Sequence, residues 1–299
     1  MSENKTAPQV QPQQGGDIFN QPTPQPQAQT QLAPKQNYGI ANLKEQLNTP
    51  ATIQSFRNLL GEKGAARFTS ALMNIVGQSN ELQKAETTSI ILAAGQSAAL
   101  NLPLNPSLGL ACVLAYWDKK KQQYVAQFQM MRNGLMELAQ RSGKVIRIAN
   151  EVVYEGELKS VNRFTDEYDF TGTRTSNKVI GYMAYAKLNT GFEKTIYMTV
   201  EEAKAHGMRF SKTYKKGFGV WVDDFNEMAL KTVLKKLINK WLPKTEEMAM
   251  ALESDQASFT QGEIGNAQPE YIDNSSHGEQ RVETIEVVEV DNVEAEEVK

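Results

Sequence analysis

The stretch SIILAAGQSAALNLPLNPSLGLACVLAY, residues 89 to 116, changes its hydrophobic period part-way, and that change decides the fold class. Up to Leu100, residues such as Ile90, Ile91, Ala94 and Ala98 make the dense apolar surface of a well-buried helix beginning near Ala85. Pro103 and Pro106 then disfavour helix in the residues before them. GLACVLAYW reads as a strand, the polar DKKKQQ as a tip and YVAQFQMM as a second strand, so the chain turns back in a β-hairpin with Lys119, Lys120 and Lys121 projecting from its end.

Working outward, Thr49-Pro50 is an N-cap with proline at the first helical position, opening a helix through IQSFRNLL that is followed by another through RFTSALMNIV. After the hairpin, RNGLMELAQRSG is a short helix closed at Gly143. KVIRIANEVVYEG, the segment around RFTDEYDF, VIGYMAYAKL and FEKTIYMTV are strand candidates, followed by a short helix through EEAKAHG. A long helix then runs from about Val222 to Leu242 and stops at Pro243. Helices, a strand cluster holding one short helix, then a long helix predict an α+β fold: a mainly antiparallel β-sheet with a β-hairpin, packed by helices, ending in a basic helix.

Composition divides the 299 residues in three. Residues 1–34 are rich in Gln and Pro and poor in large apolar side chains, the signature of a disordered leader rather than a secretory signal. Residues 35–244 hold 29 Lys and Arg against 18 Asp and Glu; residues 245–299 hold 2 against 15. The net charge of -3 therefore conceals a basic body and an acidic tail, expected to be a polyanion-binding core and a disordered partner-interaction segment, within which TEEMAMALE is a candidate short helix.

No run approaches the roughly 20 apolar residues of a membrane span. Cys112, the single cysteine, cannot form an intramolecular disulfide and fits a reducing compartment, so a cytoplasmic location is expected; its apolar neighbours mark it as a buried strand residue. With His206 and His277 the only histidines, neither a zinc site nor a Ser/His/Asp triad is expected. GxxxxGK[ST] is absent, and the carboxylates Asp166, Glu167 and Asp169 lie in a solvated turn rather than a two-metal centre. The expectation is a non-enzyme without cofactor or metal.

The stretch RFSKTYKKGFGVW, residues 209 to 221, interleaves Arg209, Lys212, Lys215 and Lys216 with Phe210, Tyr214, Phe218 and Trp221. Phosphates seek cations and bases stack on rings, which suits single-stranded nucleic acid; a basic surface loop with its rings facing the core is the alternative. Phe218 and Trp221 are expected to anchor the loop, leaving Phe210 or Tyr214 for DNA. In the last helix Leu230, Val233, Leu234, Leu237, Ile238 and Trp241 form the buried face, flanked by Lys231, Lys235, Lys236 and Lys240. No acidic residue interrupts 231–244, as a phosphate-tracking groove would require. Arg132 opens a helix, where free N–H groups attract anions, and Arg141, Lys144 and Arg147 straddle the next turn; pairing with carboxylates such as Glu137 is the alternative.

Three blocks carry a resemblance. Residues 89–116, QFQMMRNGLMELAQRSGKV at 127–145 and WVDDFNEMALKTVLKKLINKWLP at 221–243 resemble the RecT family's helix, Leu-Pro turn and strand, its Arg-marked helix with an Arg-Ser-Gly turn, and its Trp-initiated terminal helix. The resemblance implies an ATP-independent single-strand DNA annealing protein of phage or prophage origin, active in homologous recombination. It also implies a ring or helical filament working beside a 5′ to 3′ exonuclease. Arg132, Arg141, Lys144, Lys231, Lys235 and Lys236 are carried over as backbone-binding positions; Leu230 stands where the family usually has the first of a basic pair. The loop 209–216 and the hairpin lysines match no strict motif.

A groove that neutralises two phosphate backbones lowers their mutual repulsion, and base pairing then supplies the free energy. Alanine at Lys212, Lys215, Lys216 or Arg132 is expected to flatten the salt dependence of binding. The acidic tail is expected to dock the exonuclease or a host single-strand-binding protein, so that truncation after Lys244 spares annealing but weakens recruitment. A coating protein without annealing activity and a metal-dependent nuclease are the alternative readings.

Overall fold

The computed structural model describes residues 38–162 and 164–271; the leader 1–34 and the acidic stretch 272–299 lie outside the described residues. The first layer is α1 (Ile40–Leu47) and α2 (Pro50–Gln78), with α3 (Asn80–Gln83) turning toward α4 (Thr87–Ala99). The Thr49 hydroxyl accepts from the Thr52 N–H at 3.4 Å, and Pro50 takes the first helical position, where no N–H is needed. The two helices expected over this stretch are present within α2, separated at Gly61, whose φ of 70° and ψ of 170° break the helical path and suit glycine. Almost all of α4 is buried, because α1 and α2 cover one side and the hairpin the other. Ser89 joins these layers: its Oγ accepts from the Ala126 N–H at 2.9 Å and donates to the Glu86 carbonyl at 2.7 Å.

The Leu-Pro turn drives Leu102 and Leu104 into the core before β1 (Ala111–Asp118) and β2 (Gln123–Met130) pair antiparallel, from Ala111 opposite Met130 to Asp118 opposite Gln123. Asp118 Oδ1 accepts from the N–H groups of Lys120 and Lys121 and shapes the lysine tip. Next comes α5 (Arg132–Arg141), where a Cβ on Gly134 would overlap the Leu110 carbonyl oxygen, so glycine sets the close approach. Gly143 follows with a φ of 67°.

A second sheet contains β3 (Val145–Tyr154), and an arm of two short strands, β4 (Ser160–Asn162) and β5 (Glu167–Asp169), interrupts the chain before β6 (Val179–Leu188) and β7 (Glu193–Thr199). The sheet order is β3-β6-β7, antiparallel throughout. α+β with antiparallel pairing is therefore the observed class, with the strands of the described residues divided among three small sheets. A capping box at Thr199 and Glu202 opens α6 (Val200–Phe210), followed by the one-turn α7 (Lys212–Lys215) and α8 (Val220–Asp223).

The long helix α9 (Phe225–Trp241) lies on the sheet through Leu230, Val233, Leu234, Leu237 and Ile238. It starts three residues later than expected, because Asp224 sits at φ -141°, ψ 65° and breaks the helical path. TEEMAMALE forms α10 (Glu246–Ser254), which Thr245 caps.

One expectation needs correction. Charge alone places residues 245–271 in a tail beginning at Thr245, yet the packed body continues through them. Met248, Ala251, Ala257 and Phe259 are buried. Beyond α10, residues 255–271 form a strap along the free edge of β2: Phe128 N–H donates to the Ala257 carbonyl and Gln256 N–H to the Phe128 carbonyl, both at 3.0 Å. Ser258 and Glu270 then pair with each other through both N–H groups at 2.8 Å. The edge that a two-stranded hairpin would leave open is thereby covered.

Candidate nucleic-acid interface

α6 and α9 place cations on both sides of a cavity of about 360 Å³. Arg209 and Phe210 come from the last turn of α6 and Lys236 from α9, so three residues singled out in two separate motifs converge. Met198 and Val233 are buried in its floor; Arg209 and Lys236 are exposed at its rim. The nearest partner of the Lys236 ammonium is the Met198 sulfur at 3.7 Å, and among the described residues it forms no ion pair. His206 stands beside Phe210, ring centroids 4.5 Å apart. Burial, with Lys236, Lys235 and Arg209 adding to it, pushes the His206 pKa down to about 4, so the ring is neutral at pH 7.

From this rim α7 carries Lys212 and Lys215 onward, with Lys216 as its cap; all three are exposed. Lys215 and Lys216 form no ion pair among the described residues. Two turns of helix replace the expected irregular loop, with Gly217 and Gly219 at positive φ between them. The rings divide differently from the expectation. Trp221 is buried and meets Tyr214 at 5.8 Å and Phe225 at 5.6 Å, so Tyr214 belongs to the anchoring cluster. Phe218 is 54% exposed and is not part of that cluster.

The other proposed phosphate contacts are more engaged. Lys231, only 8% exposed, and Lys235 reach the two oxygens of Asp255 at 3.3 and 2.9 Å. Asp255 Oδ1 also accepts from the Met130 N–H at 2.9 Å. Burial pushes this carboxyl upward, but Lys231 and Lys235 outweigh it and hold the pKa down at about 2. The missing acidic partner in the 231–244 run is therefore supplied by the strap, and Lys231 is a core cation rather than an open groove residue.

Arg132 Nε faces Glu227 Oε2 at 3.0 Å without hydrogen-bond alignment. Arg141 binds Glu137 at 3.2 Å and the carbonyls of Leu100 and Asn101 at 2.9 and 3.1 Å, closing the end of α4; its guanidinium is committed to structure. At the hairpin tip Lys121 meets Glu270 of the strap at 2.9 Å, whereas Lys119 and Lys120 are exposed without ion pairs among the described residues. Lys144 is likewise exposed, beside the Gly143 turn. Cys112 is half-buried, and burial pushes its thiol up to about 11. No group of three or more His, Cys, Asp or Glu among the described residues could hold a metal ion, and no described helix is long and apolar enough to cross a membrane.

The site residues that sequence reasoning passed over are His206 and Asp255. In the sequence His206 stands out only as a lone histidine with too few partners for a metal site or a triad. Its signal was four-residue spacing from Phe210 on one helical face. Asp255 was counted only as tail charge, although Ala257 and Phe259 alternate just after it as strand residues do.

The RecT family model matches residues 66–271, about two thirds of the chain and the whole strap. The chain belongs to the RecT family. It is 37% identical over 225 residues, 75% of each chain, to Uncharacterized protein YqaK of Bacillus subtilis (strain 168). It is 28% identical over 179 residues to Protein RecT of Escherichia coli (strain K12), covering 58% of this chain and 65% of that one. The family is one of single-strand annealing in recombination. Within this RecT-family chain, the match extends beyond Lys244 to Tyr271 and so includes the residues that hold Lys231 and Lys235.

His206 has a measurable signature. Its folded pKa lies below its unfolded value near 6.5, so the unfolded chain binds the extra proton first. This contribution to stability is complete above about pH 6.5 and is lost as pH falls toward about 4. In chemical denaturation series at several pH values, His206→Gln is expected to flatten the decline across that window. An unchanged pH profile would rule this origin out.

Proposed function

We propose that this chain binds single-stranded DNA through its phosphates and anneals complementary strands in homologous recombination without ATP and without a covalent step. The observation that carries the reading is the pair of cations at the cavity rim, Arg209 and Lys236, with the exposed Lys212, Lys215 and Lys216 next along the chain from Arg209, in a chain of an annealing family. Lys144, Lys119 and Lys120 are secondary contacts of the same kind. Arg132 and Lys235 contribute to the field from within ion pairs, while Arg141, Lys231 and Lys121 chiefly hold the structure that carries it.

The mechanism is electrostatic. Two complementary strands repel through their phosphates; fixed ammonium and guanidinium groups displace the condensed counterions and reduce that repulsion. Backbone contacts carry no sequence information, so pairing itself tests complementarity. We further propose that copies assemble as a ring or filament that aligns these cations along a shared strand. The partners are a 5′ to 3′ exonuclease that supplies single strands and a host single-strand-binding protein, in the bacterial cytoplasm of a phage or prophage host.

Mixing dye-labelled complementary oligonucleotides without ATP tests the reading: faster pairing with protein supports it, and slower pairing identifies a coating protein. Loss of full-length strands in Mg²⁺ identifies a nuclease. Alanine at Lys215, Lys216 or Lys236 is expected to reduce the slope of log affinity against log salt by about 1 or less each. Unchanged slopes in all three would move the DNA path elsewhere.

A further inference from the structure

The cavity between β7, α6 and α9 has a chemistry that the phosphate contacts leave unused. At about 360 Å³ it is an open groove with room for more than a single small anion. A lone phosphate would fill little of it and would make no use of its apolar lining by Met198 and Val233. Its walls instead offer the ring of Phe210 and the neutral imidazole of His206, with the Glu202 carboxylate beside them. His206 also packs against Trp221, ring centroids 6.1 Å apart, while the neighbouring Tyr197 ring turns to the other face of the sheet, against Tyr168 and Phe170. Flat rings and a polar ring edge inside, with cations at the rim, form a site for a flat heterocycle joined to a polyanion.

We propose that this cavity seats one unstacked nucleobase of a bound single strand, while Arg209 and Lys236 hold the phosphodiesters on either side of it. The inference rests on the single-strand reading above and adds a base-binding subsite to it. A base within a duplex must give up both pairing and stacking to enter, whereas a base in a single strand gives up stacking alone. The cavity thereby distinguishes unpaired from paired DNA without reading sequence, and it empties when a complement claims the base.

The full chain is tested with oligothymidylate and with an abasic phosphodiester chain of equal length, both by fluorescence anisotropy over a salt series. The expected result is about tenfold tighter binding of oligothymidylate with the same salt slope for both, and loss of this preference in Phe210→Ala. In the native protein, 5-iodouracil placed in oligothymidylate is expected to photocrosslink to His206 or Phe210. Equal affinity for the two chains, or crosslinks confined to other residues while oligothymidylate is bound, would overturn the subsite and leave the single-strand reading standing. Failure to bind either chain would overturn both.

Discussion

Asp255→Ala is expected to lower stability by about 3–5 kcal/mol, the usual cost of leaving a buried charge without its partner. The substitution strands Lys231, 8% exposed, and removes the acceptor of the Met130 N–H. At roughly 2–4 °C per kcal/mol for a body of this size, the melting temperature should fall by about 10 °C. Asp255→Asn should recover part of the loss, because the amide oxygen can still accept from Met130. Joint replacement of Lys231, Lys235 and Asp255 by apolar residues of similar volume should recover more, since it removes the buried charges together. Thermal unfolding followed by circular dichroism decides it; a wild-type melting temperature for Asp255→Ala would mean that the ion cluster is not holding the strap. Because the folded pKa lies below the unfolded value, the cluster's contribution is present above about pH 4 and lost as pH falls through about 2.

Truncation after Lys244 should have a still larger effect, opposite in kind to the one expected from charge alone. It removes the buried Met248, Ala251, Ala257 and Phe259, uncovers the β2 edge and leaves Lys231 and Lys235 without their carboxylate. Burying each large apolar side chain contributes roughly 1.5–3 kcal/mol, and whole domains are stable by only about 5–15 kcal/mol. The shortened chain should therefore be unfolded or aggregated by size-exclusion chromatography and circular dichroism. Truncation after Tyr271 should leave a folded body, so any loss of exonuclease or single-strand-binding-protein recruitment in that variant can be assigned to residues 272–299. A folded, monodisperse chain ending at Lys244 would refute this account of the strap.

The fold was legible wherever one local rule sufficed. The period change at residues 89–116, the Thr49-Pro50 cap, the hairpin and the buried face of the last helix were all visible as spacing, because each depends on neighbours within a few residues. The site was legible in composition but not in pairing. Lys231, Lys235 and Lys236 look alike in sequence, yet two of them meet a carboxylate supplied from outside the helix while the third faces a cavity. Helical phase shows which residues share a stripe and says nothing of what a distant segment brings to it. Arg141 illustrates the same limit: one partner, Glu137, lies one turn away and could be anticipated, whereas the carbonyls of Leu100 and Asn101 come from another element. Tyr214 joins the Trp221 cluster and Phe218 does not, because α7 and α8 form where the sequence suggested a loop.

The strap also constrains how the chain is made. Met130 and Asp255 are 125 residues apart, and at a synthesis rate of roughly 5–20 residues per second the hairpin leaves the ribosome many seconds before its covering segment. During that interval the nascent chain exposes an open strand edge together with the apolar surface that Phe259 will later cover. Closure of the body thus waits for residues near its C-terminal end, and the interval before they arrive is when neighbouring nascent copies have most opportunity to pair along β2 instead.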